Sequence, residues 1–182
     1  AKKRTNELGK LDDFQNDNSE DLYNIIAIGA LKYFLLKVDP KKRMLFDPEE
    51  SIDFQGNTGP FIQYTYARIL SLIKRGDSLN LDYKNIDLSK NFQLTNIQKK
   101  IINHVYLFSD TIKLSSDTYS PAVIAKYVYD LCKLYNNFYQ EDKIFNGKED
   151  VTSLFKIMLS YIVSKIIKSA LYLLNIKLPN RM

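Results

Sequence analysis

Apolar residues recur along this chain at intervals of three and four positions, the spacing that gives an α-helix one apolar face. Strand-like alternation does not persist over any stretch, and only 6 glycines and 5 prolines interrupt the 182 residues. Such sparse punctuation does not fit a fold built from many strands and tight turns. The pattern therefore predicts an all-α fold: a helical bundle from about residue 57 onward, preceded by a short mixed helical and irregular segment.

Helix starts are predicted where a polar capping residue or a proline precedes an apolar run, and helix ends where a proline or glycine follows. The first part of the chain is predicted to contain a charged and polar opening over 1–18, a helix from Ser19 to Asp39 and an irregular stretch over 41–55. The bundle is then predicted to begin with a helix over about 61–75, a polar connection over 76–94 and a helix from Thr95 through Phe108. After a turn at 115–120, a helix runs from Pro121 to about Gln140, a break follows at Asn146-Gly147, and a long final helix ends at Leu178-Pro179.

The most apolar run, over 154–176, resembles a membrane span in length alone. It contains three lysines, which would be costly in a bilayer. Its polar residues recur every fourth position and predict one polar stripe: Lys156, Ser160, Ser164 and Lys168. The run therefore predicts a core helix with one polar, solvent-exposed face. The alternative, a helix lying on a membrane surface, is disfavoured by the modest lysine content.

Charge is unevenly distributed along the chain. The net charge is +5. Residues 1–55 hold 9 Lys and Arg against 11 Asp and Glu, whereas residues 56–182 hold 17 against 10. This asymmetry indicates an anionic partner for the second part, with nucleic acid as the first candidate. The alternative is a low-GC genome that favours lysine codons.

Cysteine and histidine each occur once, as Cys132 and His104. One cysteine excludes a disulfide framework and a cysteine zinc site within the chain. With no signal-peptide pattern, this composition predicts a cytoplasmic protein. His104 is predicted to be a surface or half-buried helix residue, and no local pattern supports a Cys/His catalytic pair.

The most specific motif is the stretch 51–69, which reads SIDFQGNTGPFIQYTYARI. It resembles the segment in which class I arginyl-tRNA synthetases pass from the catalytic core into the anticodon-binding domain. The shared pattern is G-N-T-G-P, an aromatic residue, one variable position and Q-Y, with an arginine four residues after the tyrosine. Every position of that pattern is filled here. Tyr66 stands where many members carry histidine, so a role for an imidazole there does not transfer.

Three further stretches resemble the same family in order and spacing: Ala30–Phe34 followed by Phe46-Asp47, Tyr127–Tyr139, and Leu174–Met182 with its terminal Pro-Asn-Arg-Met. The resemblance implies two parts. Residues 1–55 would be the C-terminal end of the catalytic core and a connecting segment. Residues 56–182 would be a helical anticodon-binding domain of the DALR type.

The resemblance also implies a function: the tRNA-recognition part of arginine–tRNA ligase, which attaches arginine to its tRNA with ATP and magnesium. The family's two ATP-binding signatures lie upstream of the matching segment, and the first residues, which lack an initiator methionine, read like a cut through a larger protein. We therefore expect no cofactor and no catalysis in this part alone. The expected partners are the anticodon stem-loop of arginine tRNA and the parent's catalytic domain, in a monomer without membrane contact. The alternative is a free-standing, non-catalytic helical RNA-binding or protein-interaction module.

Reading an anticodon means gripping unpaired bases by stacking and edge hydrogen bonds, while basic side chains hold the backbone. All arginine anticodons share a middle C, so the resemblance implies that this base is read. Thirteen tyrosines and no tryptophan are available for stacking. Tyr64 and Arg68 share a helix face at i and i+4. The alternative for that pair is a packed tyrosine and a structural ion pair of the arginine.

Other predicted RNA-binding residues follow from the resemblance and from charge. Tyr139 matches an aromatic position that contacts the anticodon region in relatives, and Met182 matches the family's terminal methionine. Lys126 and Lys133 are candidate phosphate contacts, as are Lys165 and Lys168. The predicted site is therefore Tyr64, Arg68, Tyr139, Met182, Lys126 and Lys133.

Overall fold

A computed structural model describes residues 19–87, 93–141, 144 and 150–182. Seven helices and no strand occur in these ranges, and the predicted all-α class is confirmed. The opening stretch 1–18 and the break predicted at Asn146-Gly147 lie outside the described residues. The helices are α1 (Ser19–Leu36), α2 (Pro48–Ser51), α3 (Gly59–Ser78), α4 (Asn96–Tyr106), α5 (Phe108–Asp117), α6 (Ala122–Glu141) and α7 (Val151–Leu173).

Side-chain caps explain where several helices begin. The Asp47 carboxylate accepts hydrogen bonds from two backbone N–H groups of α2. Thr58 accepts from the backbone N–H of Phe61 at 3.3 Å and so caps α3 as predicted. Thr95 and Gln98 form a reciprocal capping box at the start of α4. These caps satisfy N–H groups that have no partner within their own helix.

Several predicted helix limits are wrong, and the first helix ends at Leu36 rather than at Asp39. The helix predicted from Thr95 through Phe108 breaks at Leu107, and α5 then continues to Asp117. The apolar spacing crosses this break because both helices pack on α6, so periodicity alone could not reveal it. The turn predicted at 115–120 is correspondingly shorter, since Ser115 is still helical and buried. The final helix ends at Leu173, before the Leu178-Pro179 signal.

Helix α3 lies at the centre of the bundle, in contact with α1, α6 and α7, and α4 and α5 cover the other side of α6. The core includes fully buried aliphatic side chains from α3, α6 and α7: Ile62, Ile69, Leu131, Val163 and Ile167. Burial of such residues is the main favourable term in folding. The arrangement leaves one face of α3 beside α6 and another beside α7.

Helix α1 shares this core. Tyr33 is fully buried, and its one hydroxyl proton is shared between Asn57 Oδ1, 2.6 Å from the phenol oxygen, and the Ala125 carbonyl oxygen, 2.9 Å from it. Burial raises the pKa of this phenol well above its ordinary value. The described part of 1–55 is therefore packed against the bundle, while a domain boundary between residues 55 and 56 stays a prediction.

The predicted polar stripe on the final helix is wrong for three of its four members. Lys156, Ser160 and Ser164 are buried, and only Lys168 is exposed. The Ser160 hydroxyl donates to the Lys156 carbonyl at 2.8 Å and accepts from Tyr135 Oη at 3.0 Å. A serine that bonds to its own helix needs no water, so it can lie in the core. None of the described helices is long and apolar enough to cross a membrane.

Candidate nucleic-acid interface

Helices α3 and α6 bring two tyrosines and one arginine of the predicted site together. The Arg68 guanidinium carbon lies 4.8 Å from the ring centroid of Tyr64, which is on the same helix. It lies 5.0 Å from the ring centroid of Tyr139, which comes from the end of α6. Tyr139 is 40% exposed. The cation therefore sits between two aromatic faces, each within cation–π distance.

Hydrogen bonds hold the arginine in this position. Arg68 Nη1 donates to Asn136 Oδ1 at 2.8 Å, and Asn136 Nδ2 donates to Thr65 Oγ1 at 3.0 Å. The Thr65 hydroxyl in turn donates to the Phe61 carbonyl at 2.9 Å. Because the chain of bonds ends on the backbone of α3, the guanidinium plane is fixed relative to that helix. No carboxylate pairs with Arg68 in the described ranges, so the structural ion pair considered as an alternative is not found there.

A groove of about 330 Å³ opens beside this arginine. Its wall combines aromatic rings, side-chain amides and the guanidinium: Phe54, Gln55, Phe61, Tyr64, Arg68, Asn136 and Gln140. Phe54 and Tyr64 meet edge to face, with centroids 6.4 Å apart. Rings that can stack and polar groups that can bond to base edges are the components of single-strand recognition. The groove can therefore receive a planar ligand with hydrogen-bonding edges.

The two predicted lysines of α6 differ in their surroundings. The Lys133 ammonium lies 5.5 Å from the Tyr129 ring centroid, and that ring packs on Phe61 of the groove wall at 5.6 Å. Lys133 is thus next to the groove. Lys126 instead pairs with Asp130 at 2.6 Å, four residues along the helix, and is largely exposed. It lies two turns before Lys133 and is not part of the groove wall.

Met182 is half-buried at the end of the described chain, and the groove beside Arg68 is lined by other residues. The segment before it passes α1 and α3, since the Asn175 carbonyl accepts from Lys32 Nζ at 2.7 Å and the Lys177 carbonyl accepts from Gln63 Nε2 at 2.9 Å. The geometry does not bring Met182 into the cluster of Tyr64, Arg68 and Tyr139. Its role in binding stays a prediction.

The sequence-based site omits five groove residues: Phe54, Gln55, Phe61, Asn136 and Gln140. The first three lie within the 51–69 motif, and no role was assigned to them. Asn136 has a usable signal, because it precedes Tyr139 by three positions and Gln140 by four, which places all three on one face of α6. Nothing in the sequence indicates that this face meets α3.

Most residues of the G-N-T-G-P motif have structural roles. Asn57 accepts from Tyr33 and Thr58 caps α3. A Cβ on Gly59 would lie 2.7 Å from the Gly29 carbonyl oxygen, so only glycine allows α1 and α3 this close. Gln63 is fully buried, and its amide nitrogen donates to the carbonyls of Ile25 and Lys177. Asn57, Thr58, Gly59 and Gln63 therefore join α1, α3 and the C-terminal segment.

His104 and Cys132 do not form a catalytic pair. His104 is half-buried as predicted, and its Nε2 lies 3.0 Å from the Tyr127 carbonyl while its ring stacks on Tyr127. Cys132 is fully buried, and that burial raises the pKa of its thiol far above the ordinary value, which makes it unreactive. Among the residues that the structure describes, no group of three or more His, Cys, Asp and Glu could hold a metal ion.

Comparison with known proteins finds arginine–tRNA ligases among the relatives of this chain. The chain is 43% identical over all of its 182 residues to the arginine–tRNA ligase of Amoebophilus asiaticus and covers 30% of that protein. It is 44% identical over the same length to that of Flavobacterium psychrophilum, covering 29%. The chain thus spans about 30% of the length of the relatives it matches. In fold it is similar to Thermus thermophilus arginyl-tRNA synthetase, with a TM-score of 0.81, 24% identity, and coverage of 95% of this chain and 29% of that one.

The sequence profile of one domain family matches residues 62–182, which include most of α3, all of α4 to α7, and Tyr64, Arg68, Asn136 and Gln140 of the groove beside Arg68. This match covers about two thirds of the chain. The chain therefore belongs to the family described as the DALR anticodon binding domain.

Proposed function

We propose that this chain is the tRNA-recognition part of an arginine–tRNA ligase and that the groove beside Arg68 receives bases of the anticodon. One observation carries the proposal: Arg68 is fixed between Tyr64 and Tyr139 at the wall of an open groove. The names of the relatives and the membership of the domain family support the tRNA as ligand. A base that enters the groove meets stacking surfaces and fixed polar groups together.

The middle C of the arginine anticodon suits this chemistry. Cytosine offers an amino donor at N4 and acceptors at N3 and O2. Arg68 keeps N–H donors beyond the one bound to Asn136, and they can serve the acceptors. The side-chain oxygen of Gln140 or Gln55 can accept from the amino group. Tyr64 provides a stacking face in the groove wall, Tyr139 provides one beside the groove next to Arg68, and Lys133 provides a nearby charge for a phosphate.

The remaining partners and cofactors follow from the proposed parent enzyme. ATP and magnesium would bind in the parent's catalytic part, because the family's two ATP-binding signatures lie upstream of the segment that this chain resembles. The parent would act as a cytoplasmic monomer, with its catalytic part and this part in one chain. No reaction step is assigned to the residues described.

An apolar face on α1 fits the expected contact with the rest of the parent. Ile28, Leu31 and Leu35 follow one helix face at i, i+3 and i+7 and are exposed, with Ile28 at 52%. Leu45 and Phe46 add further exposed apolar surface after that helix. Exposed apolar residues grouped in this way indicate a surface that another protein part covers. We propose that the parent's catalytic part packs there, and replacing Ile28 and Leu35 with Ser should weaken association with a separately produced catalytic part without lowering tRNA discrimination.

Substitutions in the groove test the proposed function. Arg68→Lys keeps the charge but loses the planar fork, so binding of the arginine anticodon stem-loop should weaken about tenfold with an unchanged salt dependence. Tyr139→Ala should weaken it by a similar factor through loss of stacking. Lys113→Gln is the control, because Lys113 is an exposed lysine of α5 that neither lines the groove nor belongs to the predicted phosphate contacts. Equal effects of all three variants would contradict the proposal.

The alternative is a free-standing RNA-binding or protein-interaction module of the same family. The apolar α1 face is the observation that would have to be explained, because a free-standing module has no catalytic part to cover it. The open reading frame of the gene separates the two cases. An arginine–tRNA ligase continues upstream through both ATP-binding signatures, and a free-standing module does not.

A further inference from the structure

We infer that this chain has a second RNA-contact surface, the outer face of α7, which binds the phosphate backbone apart from the anticodon groove. This surface, the α7 stripe, consists of Tyr161, Lys165, Lys168 and Tyr172. The inference rests on the proposed function, because it takes the bound RNA as the ligand. It assigns to that RNA a contact on a different side of the bundle.

The four residues form one continuous line on the helix. Their spacings of four, three and four positions keep them on one face of α7. Aromatic residues occupy the two ends and lysines the middle. Tyr172 is 82% exposed, and both lysines are exposed. A stacking ring beside two ammonium groups is the combination found in surfaces that follow a nucleic-acid strand.

A third lysine extends the line at its first end. The Lys165 ammonium lies 4.9 Å from the Tyr161 ring centroid, and the Lys84 ammonium lies 5.5 Å from the same centroid. Tyr83 packs beside that ring, with centroids 6.0 Å apart. The Tyr161 ring therefore holds two cations within cation–π distance, which fixes their positions better than free side chains would.

These lysines keep their charge available for a ligand. Within the described ranges no carboxylate forms an ion pair with Lys84, Lys165 or Lys168. The nearby Asp77 carboxylate accepts from the Tyr83 hydroxyl at 2.9 Å. Three ammonium groups, unpaired by any carboxylate of the described residues, give this surface a positive potential, which attracts a polyanion.

The stripe continues into a concave surface at its other end. Lys168 and Tyr172 line a groove of about 770 Å³ together with Tyr66 of α3 and Asn180 of the C-terminal segment. Tyr66 is two positions after Tyr64, so it lies about 200° around α3 from the arginine groove. An RNA segment bound here is therefore different from the loop bases proposed to enter the groove beside Arg68.

Salt-dependent binding separates the two surfaces. The double variant Lys165→Gln, Lys168→Gln should weaken binding of a complete arginine tRNA several-fold and reduce the slope of log K against log salt by about 1 for each lysine. Discrimination between the normal anticodon and one with an altered middle base should stay unchanged. The matched control is Lys99→Gln, Lys100→Gln on α4, which removes the same charge from another exposed site.

The ring at the end of the stripe has its own test. Tyr172→Ala should weaken tRNA binding by about tenfold, whereas Tyr172→Phe should keep the affinity, since a phenyl ring still stacks. Thermal unfolding of each variant shows that it is folded. The inference is overturned if the α7 double variant and the α4 control variant weaken tRNA binding equally. It is also overturned if the α7 double variant leaves the slope of log K against log salt unchanged. If the unsubstituted chain binds the normal and the altered anticodon equally well, the proposed function is contradicted, whereas the salt dependence still tests the α7 stripe.

Discussion

Gly59 and Gly29 bring the backbones of α3 and α1 into direct contact: a Cβ added to Gly59 would lie 2.7 Å from the Gly29 carbonyl oxygen and 3.1 Å from Ala30 Cα. The neighbouring Gln63 amide then reaches the Ile25 carbonyl at 3.1 Å. The motif that signals the family is thus the joint between the first helix and the bundle. Helix α3 contributes Phe61, Tyr64 and Arg68 to the groove beside Arg68.

Gly59→Ala tests this joint. The added methyl group meets backbone atoms that cannot rotate away, so the free energy of unfolding should fall by about 1–3 kcal/mol. Urea denaturation measures it. Gly76→Ala is the control, because its nearest contact is an Ile157 methyl at 3.4 Å and alanine favours a helix interior. If both variants are as stable as the unsubstituted chain, the close contact of α1 and α3 is contradicted.

Gln63→Glu should be strongly destabilising at neutral pH. It replaces two donated hydrogen bonds with a buried carboxylate that faces two carbonyl oxygens, at a cost of about 3 kcal/mol or more. Burial raises the pKa of the new carboxyl above its unfolded value. The loss of unfolding free energy relative to the unsubstituted chain should therefore shrink as the pH falls and the carboxyl becomes protonated. Urea denaturation at two pH values tests this, with the exposed Gln55→Glu as control. A deficit that does not depend on pH would mean that the carboxylate escapes burial.

Tyr33→Phe removes one hydroxyl that serves two acceptors, Asn57 Oδ1 and the Ala125 carbonyl. We expect a loss of about 0.5–1.5 kcal/mol in the free energy of unfolding, the usual net contribution of such a hydrogen bond, because Asn57 is exposed and can bond to water instead. Tyr119→Phe is the control, since Tyr119 is almost fully exposed. Equal stability of the two variants would show that the α1 contact contributes little.

Alkaline pH should unfold this chain cooperatively. Burial, and then the hydrogen bond to Asp77, raise the pKa of Tyr83 to about 12, and burial raises the pKa of Tyr127 and Tyr135 further. The pKa of Tyr83 in the folded chain therefore lies above the unfolded value of about 10. The stability that comes from keeping this phenol protonated and buried is complete below pH 10 and is lost as the pH rises through 12. Urea denaturation at pH 9 to 12 measures the slope, which Tyr83→Phe should reduce. A stability independent of pH over this range would contradict the buried state of these phenols.

Local signals in the sequence predicted much of the fold. Thr58 and Pro121 marked helix starts correctly, because capping depends on a few adjacent residues. The break at Leu107 and the burial of Ser160 and Ser164 were not predictable, since both depend on which helix packs alongside. A serine hydroxyl can bond either to water or to its own helix, and only tertiary packing decides between them.

The same distinction applies to the candidate site. The i, i+4 spacing predicted that Tyr64 and Arg68 share a face, and the structure places the guanidinium over that ring. The approach of Tyr139 and the bond from Arg68 to Asn136 depend on the packing of α6 against α3, which no local pattern encodes. Gln63 had no assigned role because both of its acceptors come from distant parts of the chain.

The most direct test of the central claim is the affinity of this chain for the arginine anticodon stem-loop, measured by fluorescence anisotropy beside the same RNA with its middle C changed to U. If bases are read in the groove beside Arg68, the altered RNA should bind at least about tenfold more weakly, as expected for a loss of about 1–3 kcal/mol per misread base, and Arg68→Lys should remove most of that difference. If the unsubstituted chain binds both RNAs equally and in a salt-sensitive way, anticodon reading in this groove is contradicted.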